Sequence, residues 1–318
     1  MTDLALGAGV EFDRLRAVFA RLSDDRTGRD LGGDCALVRV GGTTLAVSVD
    51  VSLEGVHFRT DWLSFEEIGW RATAAALSDL AAAGAKPLGV LVSLGVPPRT
   101  QAGRGDPAVE IMGGAGAAAR SVGASVLGGD LARSERYMID VAVFGSTARA
   151  VRRRGARAGD GIWVTGVLGG PGLALARLSA GARPDPDAMR RFAHPEPRIA
   201  AGRWLARHGA RAMIDLSDGL GSDAAHLAAA SGIGVEIELD RIPLWPAVGP
   251  RQAAASGEEY ELLVALPKVF DDRAAARFTR ATRLRLTRIG RCVRGEGVRA
   301  SEGGRPVTLP PGFDHFRP

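Results

Sequence analysis

The sequence predicts a mixed α/β protein of two domains. Three observations carry this: the length, an alternation of strand-like and helical runs, and one basic, glycine-containing break in the middle. A chain of 318 residues is long enough for about two domains, each able to bury its own core. In the first half, CALVRV (35–40), TTLAVSVDV (43–51), LGVLVSLGV (88–96), ASVLGG (124–129) and YMIDVAVFGSTA (137–148) read as strands separated by two helical stretches. Strands interleaved with helices of about 15 to 20 residues imply crossover connections and a layered α/β structure. RAVRRRGARAGDG (149–161) then interrupts the pattern, placing one domain over 1–148 and the other over 149–318.

The second half opens on the strand GIWVTG (161–166), a Gly-rich turn VLGGPG and the helix LALARLSA (173–180). GARPDPDAMRRFAHPEPR (181–198) reads as a Pro/Asp-rich loop, GVEIELD (234–240) as a strand, ASGEEYELLVALP (255–267) as turn-like and RIGRCV (288–293) as a last strand. Strand, Gly turn and helix in that order resemble a nucleotide-binding βα unit, but the G-x-G-x-x-G spacing is absent. Neither lysine, Lys86 or Lys268, follows a P-loop, so any ATP site here is of another kind.

The helix after residue 64 is the best defined. Ser64 and Glu67 form a capping box, and Gly84 with Pro87 marks the end. At 3.6 residues per turn Asp79 shares a face with Ile68, Ala72, Ala75 and Ala83. That face is small and apolar. An ionised carboxylate there requires a partner, and no arginine shares its stripe. The partner is either a backbone turn or a metal ion.

Composition excludes several classes. No apolar run reaches the roughly 18 residues needed to span a bilayer, and the N-terminus lacks a basic segment followed by an apolar one, which leads to the expectation of a cytoplasmic protein. Two cysteines, Cys35 and Cys292, make neither a disulfide framework nor a zinc site. The net charge is +5 with 5% aromatic residues. No basic stripe with interleaved aromatics marks a nucleic-acid surface, and a small anionic ligand suits the arginines better.

Aspartates recur at the ends of apolar runs or inside them: Asp34, Asp50, Asp79, Asp130, Asp215 and Asp218. A single one is an ordinary turn or cap; six together point to a hard cation, for which oxygen donors without histidine or cysteine are the matching ligands. Of the five histidines only His57 falls near this set, either as a structural residue or as part of the site.

SVDVSLEGVHF, ALSDLAAAGAKPLGVLVSLGVP, LGGDLARS, RRRGARAGDGIWVTG, IDLSDGLGSDAAHLAAASG, SGEEYELLVALP and GFDHF occur in the order of successive motifs of the thiamine-monophosphate kinase family, which the chain resembles over nearly its whole length. The resemblance implies a two-domain PurM-like (aminoimidazole ribonucleotide synthetase-like) α/β architecture. In it an N-terminal mixed sheet with helices forms the dimer interface of a homodimer, and the C-terminal domain completes an ATP cleft. It implies phosphoryl transfer from ATP to thiamine phosphate with several Mg²⁺ ions. Carried over by motif, Asp34, Ser48, Asp50, Asp79, Asp130, Asp215 and Asp218 correspond to metal-site residues. Gly129, Asp130, Arg153 and Ser217 correspond to ATP contacts, and His57, Glu258 and Phe313 to thiamine phosphate contacts. The basic run around Arg153 reads equally as a solvated face, and Asp223 as helix surface or as a support for the site.

The sequence departs from the family pattern in four places. Gly-Asp-Asp becomes Gly32-Gly33-Asp34, Thr-Asp-Thr becomes Val49-Asp50-Val51, Gly-Gly-Asp-Thr ends in Leu131, and Gly-Glu-Asp-Tyr becomes Gly-Glu258-Glu259-Tyr260. Each loses or lengthens a polar group expected near the metals. The alternatives are therefore a catalytically weakened nucleotide-binding relative and another ATP-dependent enzyme of the same superfamily.

Overall fold

The computed structural model describes residues 9–22, 31–98 and 105–316. After helix α1 (Val10–Leu22), five strands make the first sheet: β1 (Ala36–Val40), β2 (Thr43–Leu53), β3 (Lys86–Val96), β4 (Val126–Arg133) and β5 (Met138–Thr147). Their order is β1-β2-β5-β3-β4, antiparallel except for the β3–β4 pair. Helices α2 (Phe65–Ala82) and α3 (Pro107–Ser121) cover one face. The expected capping box at Ser64 and Glu67 starts α2, and Gly84 follows its end at a positive φ of 66°. The other face carries exposed apolar side chains: Val38, Val40, Val49, Val51, Leu53 and Leu127.

The second sheet begins with β6 (Gly161–Thr165) and adds β7 (Ala212–Asp215), β8 (Gly234–Glu238), β9 (Leu262–Leu266), β10 (Leu286–Val293), β11 (Gly297–Glu302) and β12 (Arg305–Val307). The strand order is β12-β11-β8-β10-β6-β9-β7. Between them run α4 (Gly170–Ser179), α5 (Pro186–Ala193), α6 (Ile199–Arg207), α7 (Leu220–Ser231), α8 (Pro250–Ala255) and α9 (Asp272–Thr282). Every residue of β6 and β9 is buried, the pattern of strands covered on both faces. One core under α7 joins Ile214, Leu227, Ile237 and Ile289. The other runs from Ile68 and Leu80 of α2 to Phe192, Leu205 and Phe278, so α2 is shared between the two sheets.

Three local expectations are corrected. ASGEEYELLVALP is a turn only in its first half; the apolar run Leu262–Leu266 is β9, an interior strand between β6 and the edge strand β7. The Pro/Asp-rich loop contains α5, because Asp185 caps it by accepting from the N–H groups of Asp187 and Ala188, with Pro186 at the first helical position. ASVLGG does not end at its glycines: β4 continues through Gly128 and Gly129 to Arg133. Both cysteines are buried and free, as a small-hydrophobe reading requires. Among the described residues no helix is long and apolar enough to cross a membrane.

Candidate active site

Alternation along β2 turns Ala46, Ser48 and Asp50 toward α2, while Val49 and Val51 point to the opposite face. Ser48 Oγ donates to Asp79 on α2. Asp34, just before β1, and Asp215, at the end of β7, complete the group: carboxylate oxygens of Asp34, Asp79 and Asp215 all lie within 4.8 Å of one another. The site thus sits where α2, the first sheet and the second sheet meet. Arg153 donates to Asp34 through Nε at 2.8 Å and pairs with it at 2.7 Å. It is therefore part of the site, not a solvated face. Ser231, at the end of α7, holds the segment after Arg153 by accepting from the N–H groups of Gly155 and Ala156 and donating to the Arg153 carbonyl.

Electrostatics single out the same residues. Burial, then the neighbouring Asp34, pushes Asp215 up to about 7. Burial, then Glu258, pushes Asp50 up to about 7, and burial, then Glu11, does the same for Asp218. Asp79 is raised by burial and by Asp215 and Asp34. Converging carboxylates that resist ionisation are answered by a cation. The donor set fits a hard one, since it is all oxygen: three carboxylates with the Ser48 hydroxyl beside them.

Asp130 and Gly129 are not brought to this group. The register places Val51, Asp140, Ser93 and Asp130 in one cross-strand row on the open face of the sheet, three strand spacings or about 14 Å from β2. Asp130 is exposed and accepts from the Leu131 N–H. Val49 and Val51, which the sequence reading put near the metals, also belong to this open face. Glu259 points to a different part of the molecule. It is buried at the start of α4, where it accepts from the Gly169 N–H and the Ser256 hydroxyl, both at 2.5 Å. Gly33 is exposed beside Asp34. Asp223 is buried and accepts from the N–H groups of Asp218 and Gly219, which makes it a support for the site.

A second group of residues continues from the acids. Ser217 offers its carbonyl to the Glu258 N–H at 2.7 Å, and the Asp218 carbonyl accepts from the Phe313 N–H at 2.9 Å. The Phe313 ring meets His315 edge-on at 4.8 Å, and His315 meets His57 at 4.9 Å. His57 Nδ1 accepts from the Leu53 N–H, so the ring is held with its proton on Nε2. Burial, then His315, holds its pKa below the ordinary histidine value. Sequence reasoning missed His315, Tyr260 and Arg71. The GFDHF motif contained His315 and SGEEYELLVALP contained Tyr260, though neither was given a role; nothing local pointed to Arg71.

This two-sheet α/β chain with a carboxylate cluster between its sheets belongs to the class of AIR synthase related proteins. The family model of their N-terminal domain matches residues 32–147 and that of their C-terminal domain residues 157–302. Within that class the chain belongs to the thiamine-monophosphate kinase family. The Escherichia coli K12 thiamine-monophosphate kinase is 34% identical over 96% of this chain and 98% of its own length. A solved chain of AaThiL complexed with AMPPCP and TMP superposes with a TM-score of 0.84 at 31% identity, covering 99% of both chains. The Aquifex aeolicus thiamine monophosphate kinase gives 0.78 at 29% identity, over 93% of this chain and 97% of that one.

Proposed function

We propose that this chain transfers the γ-phosphoryl group of ATP to thiamine phosphate, forming thiamine diphosphate, in the cleft where α2 meets both sheets. The observation that carries the reading is the continuity of one site. The Asp34–Asp79–Asp215 cluster is tied through Ser217 and Asp218 to Glu258 and Phe313, which join acid and aromatic groups in one cleft. The relatives' names and the nucleotide analogue bound by one of them support it. Residues 1–148 then supply Ser48, Asp50, Asp79 and the dimer surface, and residues 149–318 supply Arg153, Asp215, Asp218 and the substrate-side residues.

Asp34, Ser48, Asp79 and Asp215, with Asp50 and Asp218 at the rim, would hold Mg²⁺. Bound there, magnesium supplies neutralisation of the phosphate charge. The attacking group is a substrate phosphate oxygen, already ionised at neutral pH, so no general base is needed. The protein's task is to align the two phosphates and exclude water. His57 fits that role: its Nδ1 is already engaged by Leu53, so it positions and does not abstract. The open face of the first sheet supports a homodimer formed through that face.

Purified protein with ATP, Mg²⁺ and thiamine phosphate is expected to yield thiamine diphosphate, read by mass spectrometry; bound ATP without product overturns the reading. Asp79→Asn is expected to lower kcat about a hundredfold or more with an unchanged melting temperature. Near-normal turnover of that variant removes Asp79 from the metal set.

A further inference from the structure

The loop Gly257–Glu261 is strained in a way that serves one side chain. Glu258 and Tyr260 both have positive φ, 62° and 50°, conformations that residues with a Cβ avoid unless the surroundings impose them. The surroundings are the segment after β7: Glu258 N–H donates to the Ser217 carbonyl at 2.7 Å and Tyr260 N–H to the Leu216 carbonyl at 2.8 Å. The backbone of Glu258 is thereby registered against the strand end that carries Asp215 and Asp218.

The side chain is fixed from two further directions. Arg71, 5% exposed on α2, pairs with Glu258 Oε2 at 2.8 Å. It also donates to the Phe192 carbonyl and stacks 3.9 Å above the Phe192 ring, so its guanidinium has little freedom. The Tyr260 hydroxyl donates to the same Oε2. Burial, then Glu258, raises the Tyr260 pKa well above its ordinary value, so the phenol remains a donor. Both contacts engage Oε2, and among the described residues no hydrogen bond reaches Oε1.

We propose that Arg71 and Tyr260 are positioning residues that reserve Glu258 Oε1 as an acceptor for a neutral N–H donor on the substrate, the exocyclic amine of its heteroaromatic ring. This rests on the kinase reading above. Arg71 already balances the carboxylate charge, so the pair presents an acceptor and not a net anion. A ring-bound amine matches that presentation better than the thiazolium cation does. The rings of His57, His315 and Phe313 offer flat surfaces on which such a ring lies. Arg71 comes from the first sheet's helix and Glu258 from the second sheet's loop, so this contact also sets the substrate side of the cleft against Asp79, eight residues or about 12 Å further along α2.

The test is steady-state kinetics of the full chain with ATP, Mg²⁺ and either thiamine phosphate or its analogue with the exocyclic amine replaced by oxygen, for wild type, Arg71→Met, Arg71→Lys and Tyr260→Phe. Wild type is expected to favour thiamine phosphate over the analogue by about a hundredfold in kcat/KM, because the analogue removes one hydrogen bond to a charged acceptor. Arg71→Met is expected to raise KM for thiamine phosphate by about tenfold or more, to leave KM for ATP unchanged and to shrink that discrimination. Arg71→Lys restores part of both, and Tyr260→Phe shifts them in the same direction by less. Unchanged KM and discrimination in Arg71→Met and Tyr260→Phe, or an equal loss toward both substrates, overturns the positioning role while leaving the kinase reading intact. Absence of thiamine phosphate turnover in wild type overturns both. Should Arg71→Met not fold, Arg71→Lys and Tyr260→Phe decide the same question.

Discussion

At the scale of single residues the cost of a buried charge depends on what answers it. Glu261 is as buried as Asp215, and burial alone would raise it. Arg198 and Arg191 outweigh burial and hold it below the ordinary glutamate range, with contacts at 2.6 Å. His226 is the opposite case. Burial, then Arg153, lowers its pKa from 6.5 to about 3, and its ring packs 4.0 Å from Phe12. It is therefore neutral when folded, and its contribution to stability is complete above the unfolded value of 6.5. Below that value the contribution is lost at up to about 1.4 kcal/mol per pH unit until the folded value near 3 is reached. Urea midpoints measured between pH 7 and 4 are expected to fall less steeply in His226→Leu than in wild type; equal slopes would show that His226 is not the group responsible. The sequence made Asp34, Asp79 and Asp215 legible because each stands where an apolar run ends or where one helix face must be dry. It hid Arg71 because its partner, Glu258, lies far along the chain from α2, and it hid the role of Tyr260 because the positive φ of Glu258 and Tyr260, which turns the hydroxyl onto Glu258, is announced by no local pattern. The two-residue period of β2 separates Val49 and Val51 from Asp50, but comparison by motif set all three beside the metals.

At the scale of elements the determining contact is α2 against α3. The pair approaches so closely that a Cβ at Gly69 would stand 1.9 Å from the Ile111 carbonyl oxygen and one at Gly114 1.9 Å from that of Glu66. Gly113, on the same helix as Gly114, has nothing nearer than 4.0 Å. These two adjacent glycines of α3 therefore respond with opposite signs. Gly114→Ala is expected to destabilise by about 1–3 kcal/mol through overpacking, while Gly113→Ala is expected to stabilise by about 0.5–1 kcal/mol through helix propensity. Chemical denaturation of both variants checks this, and a stabilised Gly114→Ala would mean that the helices separate freely. The capping box made the start of α2 readable from residues 64–67. The α2–α3 contact was unreadable, since a glycine inside a helix pattern looks the same whether it is tolerated or required. β9 was misread for a related reason: a short apolar run carries no period, and only its place between β6 and β7 makes it an interior strand.

At the scale of the whole molecule one face remains unaccounted for within a single chain. Val49 is 66% exposed and Val40 51%, and with Val38, Val51, Leu53 and Leu127 they line the uncovered face of the first sheet. An apolar face of this kind marks an interaction surface, and the same face holds the row containing Asp130, about 14 Å from the strand of Asp50. A sheet packing face to face on it would lie about 10 Å away, closer to this row than the row is to its own subunit's acid cluster. In the proposed homodimer, pairing of two sheets would remove the apolar face from water and enclose Gly129 and Asp130, which a monomer leaves exposed. Val49→Glu places a charge at the centre of that face without touching Asp50, which points the other way. It is expected to give a monomer by light scattering, with lost turnover and an unchanged far-ultraviolet spectrum. Val109→Glu, equally apolar and 60% exposed but on α3, is expected to remain dimeric and active. A monomeric Val49→Glu with full turnover would show that Asp130 is dispensable, and a dimeric one would move the interface to another face.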